Sequence, residues 1–183
     1  MANQLLTYQE CIDQCGSDYR LKEALKSGKI YKIEKGIYAY SPYVSELEII
    51  SAKYPDAVFT MDSALYYHGL TDEAPELYHL ATHRSDARIK DNRVKQYFVK
   101  DELFDSGITE KEEDGCKIRI YSLERMLIEL IRNHTRLPYD YYKEVIRNYR
   151  SKTETMDFTV LYDYAGHFSL GDTILKVIER EVL

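Results

Sequence analysis

Six basic residues lie between positions 20 and 35: Arg20, Lys22, Lys26, Lys29, Lys32 and Lys35. Only Glu23 and Glu34 oppose them there, although the whole chain has 25 Lys+Arg against 31 Asp+Glu and a net charge of −6. The chemistry open to such a cluster is phosphate neutralisation, in which each Lys or Arg contact releases condensed counterions. Tyr19 adds an aromatic with a polar tip beside it. The same charges also suit a solvated face. Two glycines favour the first reading, because Gly28 and Gly36 stand where a helix C-cap and a tight hairpin need them.

The elements that must carry these residues follow from pattern. Thr7–Gln14 has the signature of a short helix, with Thr7 as cap and Glu10 completing a capping box. Cys15-Gly16-Ser17 is a turn. Ser17 caps a second helix to Lys26, with Leu21, Ala24 and Leu25 as its buried stripe. Two strands are expected next, Lys29–Ile33 and Gly36–Tyr40, joined through Glu34-Lys35-Gly36. Helix followed by hairpin is the recognition-helix-and-wing half of a winged helix. Six residues precede Thr7, too few for the extra helix that usually completes one.

A second basic set lies further on. Arg84, Arg88, Lys90, Arg93 and Lys95 crowd a polar loop, and Arg125, Arg132 and Arg136 fall near one helical face. A surface for nucleic acid and a solvated face paired with Glu124, Glu129 and Glu144 both fit this set. The candidate residues of that second surface are Arg84, Arg88, Lys90, Arg93, Arg132 and Arg136.

Catalytic patterns are missing from the sequence. No Asp or Glu lies two positions before any Lys, as a restriction-type nuclease site requires. Gly16-Ser17-Asp18 resembles a nucleotidyltransferase start, but no Asp-x-Asp or Asp-x-Glu metal pair follows, so a helix cap is the reading. There is no P-loop, dinucleotide fingerprint or nucleophile elbow. The five histidines lack ligand spacing. His68 and His134 suit helix C-termini, where partial positive charge is favourable. No metal and no cofactor is expected. Cys11, Cys15 and Cys116 form no disulfide framework, which suits a reducing cytoplasm. Cys11 and Cys15 could share a helix face as a semi-buried pair. No apolar run approaches membrane-spanning length, and the N-terminus lacks a signal-peptide pattern.

The rest of the chain alternates strands and helices. Helices are expected at Ser45–Lys53 and Ala64–His68, the second capped by Asp62 or Ser63. Strands are expected at Ala57–Thr60, Tyr78–Ala81, Gln96–Val99 and Lys117–Tyr121, with a charged turn at Glu110–Gly115. Ser122 caps Leu123–His134, whose apolar face is Leu123, Met126, Leu127, Leu130 and Ile131. Three more helices follow, at Tyr139–Tyr149, Thr159–Ala165 and Asp172–Val182. The fold class is therefore α+β. A reduced N-terminal winged helix, two helices plus a β-hairpin wing, occupies 1–44. A mixed α/β and helical domain occupies 45–183.

The order of these motifs carries a resemblance. The wing LKSGKIYKIEKGIYAY precedes AVFTMDSALYYHGLTDEAPELYHLAT, then Ser122-Leu123-Glu124-Arg125-Met126-Leu127, then FTVLYDYAGHFSLGDTILKVIEREVL. From about Thr7 onward the chain resembles the AbiEi family, antitoxins of type IV toxin–antitoxin systems linked to abortive phage infection. The resemblance implies a cytoplasmic, non-enzymatic protein whose N-terminal winged helix binds operator DNA and represses its own operon. It implies a C-terminal domain that counters a nucleotidyltransferase toxin without a stable complex. The DNA contacts would come from Tyr19, Arg20, Lys22, Lys26, Lys29, Lys32 and Lys35. The alternative is a non-enzymatic module that binds protein or RNA and has lost operator binding.

Overall fold

A computed structural model describes residues 5–183. The fold is α+β, with two sheets and nine α-helices among the described residues. It divides into two compact units. One takes the chain up to Pro55 together with Glu112–Lys117; the other is Asp56–Lys111 with Ile118–Leu183. The first compact unit thus runs to Pro55 and takes in the tip of a later hairpin.

In the first unit the order is β1 (Leu5–Thr7), α1 (Tyr8–Cys15), α2 (Asp18–Lys26), β2 (Tyr31–Glu34), β3 (Ile37–Ala39) and α3 (Glu46–Lys53). Local chemistry fixes each helix start. Thr7 and Glu10 form the expected capping box, Ser17 accepts from the Arg20 N–H, and Ser45 and Glu48 form a second box. Gly36, at φ +83°, turns β2 into β3. Strand β1 has no counterpart in the sequence pattern; it pairs antiparallel with β3, giving the sheet order β1-β3-β2. Leu6, Cys11, Leu21, Ile30 and Tyr38 form the buried cluster, with Ile12, Cys15, Ala24 and Leu25 packed against it. Each large apolar side chain so buried contributes about 1.5–3 kcal/mol.

The second unit begins with β4 (Val58–Phe59), α4 (Met61–Tyr67), β5 (Tyr78–His83), β6 (Val94–Val99) and α5 (Asp101–Phe104). It continues through β7 (Ile108–Glu113), β8 (Cys116–Tyr121), α6 (Leu123–Asn133), α7 (Tyr139–Arg150), α8 (Phe158–Gly166) and α9 (Gly171–Glu181). The tip of the β7–β8 hairpin belongs to the first unit. The sheet order is β6-β5-β4-β8-β7. β5 and β6 run parallel, in register from Tyr78↔Val94 to His83↔Val99. β4 is antiparallel to β5 and parallel to β8.

Two local expectations are corrected. Helix α4 starts at Met61, and its N-cap Thr60 makes no side-chain cap bond. Asp62 and Ser63 are drawn elsewhere: Asp62 accepts from the Tyr141 hydroxyl, and Ser63 Oγ accepts from the His79 N–H at 2.8 Å. The expected turn over Glu110–Gly115 shrinks to Asp114-Gly115, because β7 runs through Glu113. Its acidic sequence belongs to an edge strand, where charge is tolerated.

Helix α6 is the centre of this unit. Met126, Leu127, Ile128, Leu130 and Ile131 are buried, as are Val145, Ile146 and Tyr149 of α7, Leu161 of α8 and Ile174 and Ile178 of α9. Tyr149 donates its hydroxyl to the Leu123 carbonyl at 3.1 Å, tying α7 to the start of α6. Arg125 is also buried, which corrects its reading as a surface arginine. Its guanidinium donates to the carbonyls of Leu103 and Ser106 and to Glu129, and lies 4.8 Å from the ring centroids of both Tyr121 and Phe168.

Candidate nucleic-acid interface

The cluster singled out by charge is displayed on one helix and one hairpin. Tyr19, Arg20, Lys22 and Lys26 are exposed on α2, Lys29 follows it, Lys32 lies on β2 and Lys35 sits in the turn, all exposed. The buried stripe of α2 points Leu21 inward, so the basic residues must face outward. Lys22 is committed to Asp18, four residues back, at 2.6 Å. That hydrogen bond, helped by the Tyr8 hydroxyl, holds the Asp18 carboxyl below its usual range. Tyr19 donates to Glu23 at 3.3 Å. Among the described residues, Arg20, Lys26, Lys29, Lys32 and Lys35 form no ion pair. Five cations without internal partners can therefore meet phosphates without first breaking a salt bridge.

The second basic set separates into three groups. Arg93 is locked by Asp91 through two side-chain hydrogen bonds, Nε to Oδ1 at 2.9 Å and Nη2 to Oδ2 at 2.8 Å. Arg132 donates both bonds of Nη1 to Glu129 and stacks over Phe168 at 4.4 Å. Arg84, Arg88, Lys90 and Arg136 are exposed and have no ion pair among the described residues. Arg132 and Arg136 line a cleft of about 580 Å³ with Lys100 and His167. Arg84 and Arg88 line an adjoining, more open hollow that shares Phe98 and Lys100 with it. Lys100 and Phe98 have no sequence signal of their own. Lys100 follows β6, and Phe98 stands in the run Tyr97-Phe98-Val99, so only the structure shows that both reach the surface.

A buried polar group lies on the same sheet. The Asp62 N–H donates to His79 Nδ1 at 3.3 Å, and the Tyr97 hydroxyl lies 3.3 Å from that nitrogen. Burial outweighs the nearby Asp62 carboxylate and lowers the His79 pKa to about 4. His79 is therefore a neutral acceptor at neutral pH. His68 meets its helix end differently from expectation: its Nε2 donates to the Tyr121 carbonyl at 2.7 Å, and burial lowers its pKa. A charged imidazole is disfavoured there, so the hydrogen bond rather than the helix dipole explains its position. His134 donates Nδ1–H to Ile131 O at 2.7 Å, at the end of α6.

Among the described residues, no group of three or more His, Cys, Asp or Glu is placed to hold a metal. No helix among them is long and apolar enough to cross a membrane. No protein-family model matches the chain, and no curated protein matches it.

Proposed function

We propose that the first unit is a winged-helix DNA-binding element and that the chain is a non-enzymatic antitoxin and autorepressor of the AbiEi type. One observation carries the DNA-binding reading. Two helices lie between the first two strands of the β1-β3-β2 sheet in sequence, and the second helix, the hairpin and Lys29 between them carry five exposed cations that form no ion pair among the described residues. In this reading α2 takes the role of the recognition helix and β2–β3 that of the wing, and the strand order supports it. Arg20 and Lys26 then face the major groove or its flanking phosphates, and Lys32 and Lys35 reach phosphates from the wing. Lys22 contributes less, because Asp18 already neutralises it. The antitoxin assignment rests on the order of motifs along the whole chain. The second unit is the part that would counter a nucleotidyltransferase toxin.

The test is binding of the full chain to duplex DNA from its own upstream promoter at several salt concentrations. Wild type should show affinity falling steeply with salt. Lys32→Ala/Lys35→Ala should flatten the log–log slope by about 0.9 for each phosphate left without its lysine. Equal affinity and slope in the two proteins would remove the wing from the interface. Growth of cells expressing a nucleotidyltransferase toxin, with and without this chain, tests the antitoxin half separately.

A further inference from the structure

The second unit holds a built surface that duplex binding by α2 and the hairpin does not use. Phe98 is the penultimate residue of β6, the edge strand of the sheet, and half of it (50 %) is exposed. It forms a shared wall between the 580 Å³ cleft and the adjoining hollow. Cations stand on both sides: Arg84 and Arg88 in the hollow, Arg132 and Arg136 in the cleft, with Lys100 common to both. The acidic residues of the two concavities are Glu102, Glu129 and Asp86. Glu129 is consumed by Arg125 and Arg132, and Asp86 Oδ2 accepts from the His83 N–H at 2.9 Å. Among the described residues, Arg84, Arg88, Lys100 and Arg136 have no such partner.

The basic loop is also held in place. Gln96 of β6 accepts from the Ile89 N–H at 2.8 Å and donates to Thr82 Oγ1 at 2.7 Å and to the Ala87 carbonyl at 3.2 Å. The Arg93–Asp91 pair fixes the loop's far end. Arg84 and Arg88 are thus presented by a braced loop, so little chain entropy is given up when they bind. A solvated face would explain scattered cations. It does not explain an exposed aromatic ring set among unpaired cations at a concave site, in a chain of net charge −6.

We propose that this double concavity binds single-stranded nucleic acid, with one base stacked on Phe98 and successive backbone phosphates on the Arg84/Arg88 and Lys100/Arg136 sides. An exposed ring flanked by a basic groove is the arrangement that binds unpaired strands, since every base has a face to stack and every nucleotide a phosphate. A duplex hides those faces, so it cannot use the ring. The cleft volume is of the size that holds one nucleotide. A free mononucleotide would use one side only and forgo the phosphates beyond it.

The experiment is fluorescence anisotropy with the full chain and labelled ten-residue oligonucleotides, rU and dT, beside a duplex of promoter sequence. Every protein carries Lys32→Ala/Lys35→Ala, so that the hairpin contributes little to binding. The expected result is binding of a single strand that Phe98→Ala weakens about 10-fold or more and Phe98→Tyr restores. Arg84→Ala/Arg88→Ala should lower the salt slope by about 0.7 for each phosphate left without its arginine. The rU and dT arms tell which sugar is preferred; binding of either supports the site. Because Phe98 is exposed, its variants should melt as the parent does, and a matching melt makes the comparison valid. Equal binding by the parent and Phe98→Ala, or a duplex whose binding Phe98→Ala weakens as much as it weakens that of the strands, would overturn the proposal. So would displacement of the strand by UMP at the same concentration of nucleotide. Failure here leaves the hairpin's duplex binding standing, because the promoter assay reads different residues.

Discussion

Arg125 and Glu129 form an ion pair at 2.9 Å inside the second unit, with the arginine side chain wholly buried and the glutamate only 13 % exposed. One helical turn separates them, so α6 itself sets the geometry. The remaining donors of the guanidinium end on the Leu103 and Ser106 carbonyls, in the segment between β6 and β7. Glu129 in turn accepts from Arg132. A buried pair is weak evidence of net stabilisation, but breaking one strands its partners.

Arg125→Met should therefore be severely destabilising. Methionine keeps much of the aliphatic stem but leaves the Leu103 and Ser106 carbonyls without their donor, and Glu129 with Arg132 as its only cation among the described residues. The expected cost is about 3–5 kcal/mol. Arg125→Lys should recover little, because one ammonium cannot replace a planar fork that serves both carbonyls and Glu129. Urea unfolding followed by circular dichroism checks both. Stability within about 1 kcal/mol of wild type for Arg125→Lys would show that charge, not the fork, matters.

The elements that the sequence discloses are those with local signatures. Thr7/Glu10, Ser17 and Ser122 each announce a helix start that the structure keeps, and Gly36 announces its turn. What it hides depends on distant partners. Strand β1 is only three residues long and owes its identity to β3, far along the chain. Strand β7 is too charged to read as a strand until β8 pairs with it. Arg125 lies at helical spacing from Arg132 and Arg136, so it shares their solvent-facing pattern, yet its partners include Leu103, Tyr121 and Phe168. The basic cluster of α2 and the hairpin is legible because its charge runs against the chain. The Phe98 concavity is half legible: Arg84, Arg88, Arg132 and Arg136 show in the sequence, but the aromatic centre does not.

Two glycines with the same backbone sign should respond differently to alanine. Gly36 (φ +83°) has open space around its missing Cβ, so Gly36→Ala carries only the left-handed strain, about 1–2 kcal/mol. Gly107 (φ +81°) faces α6, and a Cβ there would lie 2.6 Å from Arg125 Cβ. Gly107→Ala adds that overlap to the same strain and should cost at least about 1 kcal/mol more. Thermal melts of the two variants side by side give the comparison. Equal shifts would mean that the Gly107 segment yields freely.

His79 should make stability fall with acid. Its pKa is lowered by burial to about 4, against 6.5 for an ordinary histidine. Between these values the unfolded chain binds a proton that the folded chain refuses, so stability rises with pH across that window. The contribution is complete above about pH 6.5, declines as pH falls to about 4, and amounts to about 3 kcal/mol in total. His68, also lowered by burial, adds to the same trend. His79→Asn places an amide oxygen where Nδ1 accepts the Asp62 N–H and removes the titration. Urea midpoints at about pH 6.5 and about pH 5 should therefore differ less in His79→Asn than in wild type. An unchanged difference would show that His79 is protonated in the fold.

The three thiols should separate into one that reacts and two that do not. Cys11 has no exposed surface, and burial raises its pKa. Cys116 is 8 % exposed and is raised for the same reason. Only Cys15, at the end of α1, is half-buried. Reaction needs both access and thiolate, and the two buried thiols lack both. At about pH 8 a disulfide reagent such as DTNB should label about one thiol per chain quickly, and the others only as the fold opens. Cys15→Ser should abolish the fast phase, while Cys11→Ser should leave it intact. Because Cys11 belongs to the cluster that packs α1 and α2 on the sheet, its slow labelling measures opening of the first unit. Added urea should accelerate it in proportion to that opening. A fast phase that persists in Cys15→Ser and disappears in Cys11→Ser/Cys15→Ser would mean that α1 is not packed on Leu6, Leu21 and Ile30.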